Sequence, residues 1–399
     1  MRRGPSNRPA VACDNGAVRV LVTSPATLGH VQPLVPLARA LRDTGNEVLW
    51  AIPADGVAEI HRRGLTAADV AAALPIGPAL AIERFPELRK MSPEDAPTAM
   101  FGKLFGAIAA PAMLDGLRAL AKSWRPDVVV CDAAEFAGHL VAAELGIPSV
   151  TKGFGPLLPE TRVAAAGVEV AGLWQAAGLE PRPYGGCYET LYLDPYPPSL
   201  GLHDATHVPV RLPIRPDADY DSVATADVIL PPGDDPLLYV TLGTMFNDLG
   251  LLQTVLAAVT TLPVRALITV GPNSDPDAFG STPPAVRVAR YVPQHVVLPH
   301  CAAVVSHCGS GTAIGALAVG LPQLCLPQGA DQFLNATAIA SAGAGLSISP
   351  SDVAVETVRS CVGRLLRDAG FAIAARRIAA DIAAMPSPAD AAVAIADLL

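Results

Sequence analysis

The segment Ala303-Val304-Val305-Ser306-His307-Cys308-Gly309-Ser310-Gly311-Thr312 decides how this chain is to be folded. A short apolar run ends in a polar, glycine-containing turn, and Ala313 to Val319 then reads as a helix closed by Gly320. Glycines between a strand and a helix let backbone N–H groups approach a ligand closely, and the helix dipole favours an anion there. His307 and the hydroxyls of Ser310 and Thr312 add side-chain donors. Spacing alone equally admits a plain strand-to-helix turn, and Gly315 falls one position too late for the dinucleotide fingerprint. Read as metal ligands, His295, His300, Cys301, His307 and Cys308 match no familiar zinc spacing.

Outward from this segment the same rhythm repeats. Leu237 to Leu242, Val264 to Val270, Val286 to Arg290 and Gln323 to Leu326 read as further buried strands. Near the other end, Val18 to Thr23 is a strand, Ser24 to Gln32 a loop, Pro33 to Thr44 a helix and Glu47 to Ile52 the next strand. Asp127 to Cys131, the helix Gly138 to Leu145 and Ser149 to Thr151 make another such unit. Between Leu200 and Pro236 the rhythm lapses into prolines and aspartates, which suit a linker. The fold expected is α/β, with two doubly wound Rossmann-like domains facing each other across a cleft. Residues 1–17 read as an N-terminal extension, 18–208 and 237–383 as the domains and 209–236 as the linker. Residues 384–399 read as a terminal helix able to pack back on the first domain, capped by Ser387 with Pro388 in its first turn.

Composition narrows the partners. Hydrophobic residues make up 51% of the 399 and charged residues 16%, enough apolar material for two cores. A net charge of −9, with no basic cluster beyond the extreme N-terminus, argues against nucleic acid, though a diphosphate at a helix N-terminus needs few cations. The two arginines at the start are followed by no apolar stretch, so a secretory signal is not expected. No uninterrupted apolar run of about 18 residues suggests a membrane span. Seven scattered cysteines fit reduced core thiols in a cytoplasm.

A second group of interest is Gly29-His30-Val31-Gln32-Pro33, which follows the first strand. A histidine here is either a packing or surface residue or, at the C-terminal end of a strand beside a switch point, a proton acceptor suited to neutral pH. Asp132, ending its strand, is a helix cap or the partner of such a base, and Glu135 is the reserve carboxylate. His139, on the helix face beyond, reads as packing.

Taken in order, Arg290-Tyr291-Val292-Pro293-Gln294, the segment from His307 to Thr312, Gly320-Leu321-Pro322 and Asp331-Gln332 resemble the donor signature of family 1 glycosyltransferases with the GT-B fold. The flavour is that of actinobacterial enzymes that decorate antibiotics and other natural products. The resemblance implies that Tyr291 stacks on the donor base, with Val292 offering backbone groups to its edge and Gln294 near the ribose. It implies that His307, Gly309, Ser310, Gly311 and Thr312 hold the diphosphate, with Gly243 and Thr244 close to it. Asp331 and Gln332 match the pair that binds hydroxyls of the donated sugar. His30 matches the family's general base and Asp132 its orienting carboxylate. Plant relatives carry a glutamate on the ribose where this chain has Gly315, which favours a deoxyribose donor such as a dTDP-sugar over a UDP-sugar.

The expected reaction is an inverting transfer from a nucleotide-sugar donor to a hydroxyl of a small apolar aglycone. No cofactor or metal is required by that scheme. The Asp217, Asp219 and Asp221 string has the spacing of a metal motif but reads as a solvated connector. An apolar acceptor pocket is expected in the first domain, from Phe85, Phe101, Phe105, Phe154 and Trp174, with Met100 and Tyr184 beside them. Two other readings use the same donor signature: a sugar-nucleotide 2-epimerase, and a non-catalytic protein that assists another transferase.

Overall fold

The computed structural model describes residues 17–92, 95–201, 204–216, 229–243, 248–271 and 274–399. Its first sheet has seven strands: β1 (Arg19–Thr23), β2 (Glu47–Pro53), β3 (Ala67–Ala71), β4 (Val128–Asp132), β5 (Ser149–Lys152), β6 (Leu191–Asp194) and β7 (Arg211–Pro213). They lie in the order β3-β2-β1-β4-β5-β6-β7, every neighbouring pair parallel. The second has six: β8 (Leu237–Thr241), β9 (Arg265–Thr269), β10 (Val286–Ala289), β11 (Ala303–Ser306), β12 (Gln323–Cys325) and β13 (Gly345–Ser347). Their order is β10-β9-β8-β11-β12-β13, again all parallel.

Parallel sheets are covered on both faces, which is why these strands are nearly unbroken apolar runs. Leu21, Val129 and Cys131 pack with Met113, Leu117 and Leu140 on one face of the first sheet. Val20, Val22, Val128 and Val130 pack on the other, against Leu37 and Leu41 of the helix Val35–Asp43 and against Ala391, Ala392 and Ile395. Those last three belong to the C-terminal helix Pro388–Ala396, so the end of the chain returns to the first sheet. Ser387 starts that helix with a capping box: its hydroxyl accepts from Asp390 N at 3.2 Å, and the Asp390 carboxylate accepts from Ser387 N at 2.8 Å.

Strand order creates two crevices. The chain runs from β1 out to β3 and returns to place β4 on the other side of β1; β8 to β11 repeat the manoeuvre. At such a switch point the connections leave the sheet in opposite directions, and the gap opens at the strands' C-terminal ends. His30 follows β1 and Asp132 ends β4, while Gly243 and His307 follow β8 and β11.

Several local expectations are corrected. The segment expected as a loop at 24–32 contains a helical turn, Leu28–Val31, which carries His30 and is anchored by the fully buried Val31. Arg211–Pro213 lies within the stretch read as linker, yet pairs with β6 as an edge strand, where its proline is tolerated. The helix after β11 starts at Ser310 rather than Ala313, with Gly309 as its N-cap, so Ser310, Gly311 and Thr312 form the first turn. Two stretches, Ala96–Trp124 and Ala369–Ala396, are long and apolar enough to cross a bilayer. Each buries a face in a core, through Met113 and Leu117 in the first and Ala375 and Ile378 in the second.

Candidate active site

On the first domain's side, β4 ends in Asp132, which is wholly buried, and the turn after β1 brings His30 against it. Asp132 Oδ1 lies 2.8 Å from His30 Nδ1 and accepts from Ala134 N at 2.9 Å. A carboxylate only accepts, so in the neutral ring Nδ1 carries the proton and Nε2 the lone pair. Phe154 and Phe105 stand edge-on to the ring, with centroids 4.6 and 5.3 Å away. An imidazole held by a buried carboxylate and walled by phenyl rings can take a proton from a hydroxyl delivered to an apolar surface.

Glu135 does not share this task. Its oxygens accept from Ala137 N (2.7 Å) and Gly138 N (2.9 Å), satisfying the first donors of the helix Ala137–Leu145. Burial pushes its carboxyl up to about 7. His139 is a core residue between Ser149 and Thr151, and burial lowers it to about 3, so it stays neutral.

Across the crevice, His307 follows β11. Its Nε2 lies only 2.7 Å from where a Cβ on Gly243 would stand and 2.6 Å from one on Gly309. Gly243 also has φ +77, so glycine suits that position on both counts. His307 is 9% exposed, and its Nδ1 is buried without a hydrogen-bond partner among the described residues. Burial lowers its pKa to about 4, against the opposing pull of Asp331, so the ring is neutral at pH 7.

The helix Ser310–Ala318 points its free first-turn N–H groups from Ser310, Gly311 and Thr312 toward the same end. Gln294 Nε2 donates to Thr312 Oγ1 at 2.8 Å, and Gly315 packs near Leu298 and Gln294. The Ser310 hydroxyl donates to Asp331 Oδ2. Tyr291 is 54% exposed, whereas the Val292 side chain is buried. Gln332 is buried, and its amide oxygen accepts from Gln328 N (2.6 Å) and Gly329 N (3.0 Å), so that oxygen is engaged in holding its own loop. Thr244 and the Asp217, Asp219 and Asp221 string lie outside the described residues. Among the described residues no group of three or more His, Cys, Asp or Glu is arranged to hold a metal ion.

Sequence reading missed Asn335. Wholly buried, it donates to Cys308 O (2.9 Å), Ser310 Oγ (3.0 Å) and Asp331 Oδ2 (3.2 Å), and accepts from the hydroxyl of Tyr196 at 2.6 Å. Its spacing of four from Asp331 was the available signal, since those positions share a helix face. Tyr196 comes from the segment after β6, so this bond joins the two sheets' domains. A second junction is Gly155: a Cβ there would stand 2.0 Å from Ser310 Oγ and 3.4 Å from Asp331 Oδ2. Phe154 thus touches His30 while its neighbour touches the opposite wall.

The expected acceptor residues divide. Phe105 and Phe154 flank His30, and Phe101 packs behind Phe105 at 4.9 Å. Phe85 is half-buried, with the Lys103 ammonium 4.6 Å above its ring. Trp174 is a correction: at 2% exposure it sits in the core against the Gly186 backbone and offers no open face. Met100 and Tyr184 are half-buried beside the same core.

Comparison with known proteins agrees with this arrangement. Residues 39–212 match the N-terminal domain, and 253–398 the C-terminal domain, of the erythromycin biosynthesis protein CIII-like family. Elloramycin glycosyltransferase ElmGT of Streptomyces olivaceus is 34% identical over 395 residues, covering 94% of this chain and 96% of the relative. The crystal structure of the glycosyltransferase SnogD from Streptomyces nogalater superposes with a TM-score of 0.77 at 29% identity, covering 96% of this chain and 99% of that one. Spinosyn rhamnosyltransferase SpnG complexed with spinosyn aglycone gives 0.79 at 30% identity, and complexed with thymidine diphosphate 0.78 at 29%, each covering 95% of this chain and 100% of the other. Two parallel sheets with facing crevices, a histidine in each and both family domains in order leave one conclusion: the chain belongs to the erythromycin biosynthesis protein CIII-like family and is a GT-B glycosyltransferase.

Proposed function

We propose that this enzyme transfers a sugar, with inversion, from a thymidine diphosphate donor to a hydroxyl of a small, largely apolar natural-product aglycone. The observation that carries the reading is the His30–Asp132 pair at 2.8 Å, walled by Phe105 and Phe154 and facing the helix N-terminus at Ser310 across the Gly155 contact. His30 Nε2 takes the acceptor's hydroxyl proton as that oxygen attacks the anomeric carbon. The bond from that carbon to the phosphate oxygen breaks on the opposite side, and its electron pair leaves with the diphosphate. Asp132 holds the ring in the reactive tautomer and stabilises the imidazolium.

The departing charge is received by the N–H groups of Ser310, Gly311 and Thr312, by neutral His307 as a hydrogen-bond donor, and by Gly243 at the neighbouring turn. Tyr291, Val292 and Gln294 hold the nucleoside, and Asp331 with Gln332 the sugar. The thymidine diphosphate and aglycone complexes of SpnG, a relative of 29–30% identity, support this donor and acceptor chemistry. The absence of a side chain at Gly315 removes a ribose hydroxyl acceptor and favours a deoxyribose. Incubating the enzyme with dTDP- and UDP-sugars and a panel of aglycones tests the proposal. Acceptor-dependent dTDP release with the opposite anomer formed supports it; conversion or persistence of the donor regardless of acceptor contradicts it.

A further inference from the structure

The donor wall is poor in cations, and its signature holds one, Arg290, beside the nucleoside-binding Tyr291. From Tyr291 to Val358 the sequence holds no lysine or arginine, and the chain's lysines, Lys90, Lys103, Lys122 and Lys152, all precede the second sheet. His307 is neutral, so the turn from His307 to Thr312 offers a diphosphate only neutral hydrogen-bond donors and a helix dipole worth about half a charge.

The opposite wall has the missing charge. Lys152, at the end of β5, is 3% exposed. It lines one narrow inter-domain cavity with Phe154, Ser310, Gly311 and Arg215, whose guanidinium is turned to the Ala383 carbonyl at 3.5 Å. Among the described residues it makes no ion pair, and its ammonium donates to the carbonyl of Gly153 at 2.7 Å. The two carboxylates in its field are engaged elsewhere, Asp132 with His30 at 2.8 Å and Asp194 with Arg211 at 3.2 Å. Burial lowers the Lys152 ammonium to about 8, with both carboxylates pulling the other way. Such a lysine is poised for an anion. Ten residues on, Arg162 is half-buried within electrostatic range of Asp331, with no hydrogen bond or ion pair from its guanidinium among the described residues. Gly155 lies between them, against Ser310.

We propose that the acceptor-side domain completes the donor's diphosphate site, with Lys152 as the principal cation and Arg162 adding a second charge. The diphosphate then bridges the two walls where they already meet at Gly155 and Ser310, taking its cations from the first domain and its N–H donors from the second. The inference rests on the dTDP reading above.

The test is calorimetry with dTDP and with thymidine, at pH 8.5 in two buffers of different ionisation enthalpy. Lys152→Met keeps an apolar chain of similar length in the buried position; if it fails to fold, Arg162→Met carries the same affinity test. Expected are about tenfold weaker dTDP binding, unchanged thymidine binding, and a fractional proton uptake on dTDP binding in the wild type that Lys152→Met abolishes. Unchanged dTDP affinity in the folded variant, or proton uptake equal to wild type in Lys152→Met, overturns the proposal while leaving the donor reading intact. A wild-type protein that binds neither dTDP nor UDP removes the donor reading and this inference together.

Discussion

The two crevices are built alike and hold the same side chain in opposite conditions. Each follows a central parallel strand and its returning neighbour, and each presents one histidine at the C-terminal edge. His30 has a buried carboxylate on Nδ1, which fixes the tautomer and leaves Nε2 free to accept. Among the described residues His307 has no carboxylate in contact; it is wedged between Gly243 and Gly309, desolvated, and neutral down to about pH 4. In the proposed reaction it is the partner, rather than the histidine itself, that divides proton transfer from anion binding.

Breaking the first crevice produces the largest effect. His30→Ala is expected to lower kcat by about 10³-fold or more while the dTDP dissociation constant stays within about twofold, measured by steady-state kinetics and calorimetry. Undiminished turnover would remove His30 from the reaction. Asp132→Asn preserves shape but lets the ring choose the wrong tautomer, and about 10²-fold of kcat is expected to go. A kcat near wild type would mean that the 2.8 Å contact is structural only.

The second crevice answers differently. His307→Ala removes one neutral hydrogen bond, so dTDP affinity is expected to weaken about tenfold, with a smaller change in kcat at saturating donor. Unchanged affinity would contradict its place in the diphosphate cradle.

The smallest effect sharpens the comparison through Glu135, the nearby carboxylate that does not serve His30. Its folded pKa of about 7 lies above the ordinary 4.5, so the folded state holds a proton that the unfolded state has lost between those values. Its contribution is fully present below about pH 4.5 and is lost as pH rises through 7. Relative to Glu135→Gln, the wild type is expected to lose on the order of 2 kcal/mol between pH 4.5 and 8 in urea unfolding. Parallel pH profiles for the two would assign the shift elsewhere. Comparing the two proteins cancels His139 and His307, whose lowered pKa values act in the other direction, removing stability as pH falls below about 6.5.

The strongest sequence signals were those fixed by local chemistry. Central strands such as Val128–Asp132 and Ala303–Ser306 are apolar because both their faces are covered, and the Gly309 to Thr312 turn announces a helix start. Elements made by tertiary pairing were harder to read. Ala67–Ala71 has little strand propensity, and β7 and β13 are short edges defined by a neighbour's hydrogen bonds. The same limit applies within the site. Asn335 and Lys152 gain their importance from what crosses the domain boundary, and Trp174 loses its from being covered by its own domain. Periodicity reports which face is buried, not which chain segment buries it.

The most direct test of the division between the two histidines is a nitrogen-15 spectrum of the imidazoles recorded from pH 8 down to 5, assigned with the His30→Ala and His307→Ala proteins. The prediction at pH 8 is a His30 ring protonated on Nδ1 and bare on Nε2, and a His307 ring that stays neutral throughout the titration. A His30 proton found on Nε2, or a His307 ring that becomes cationic near pH 6.5, would contradict it.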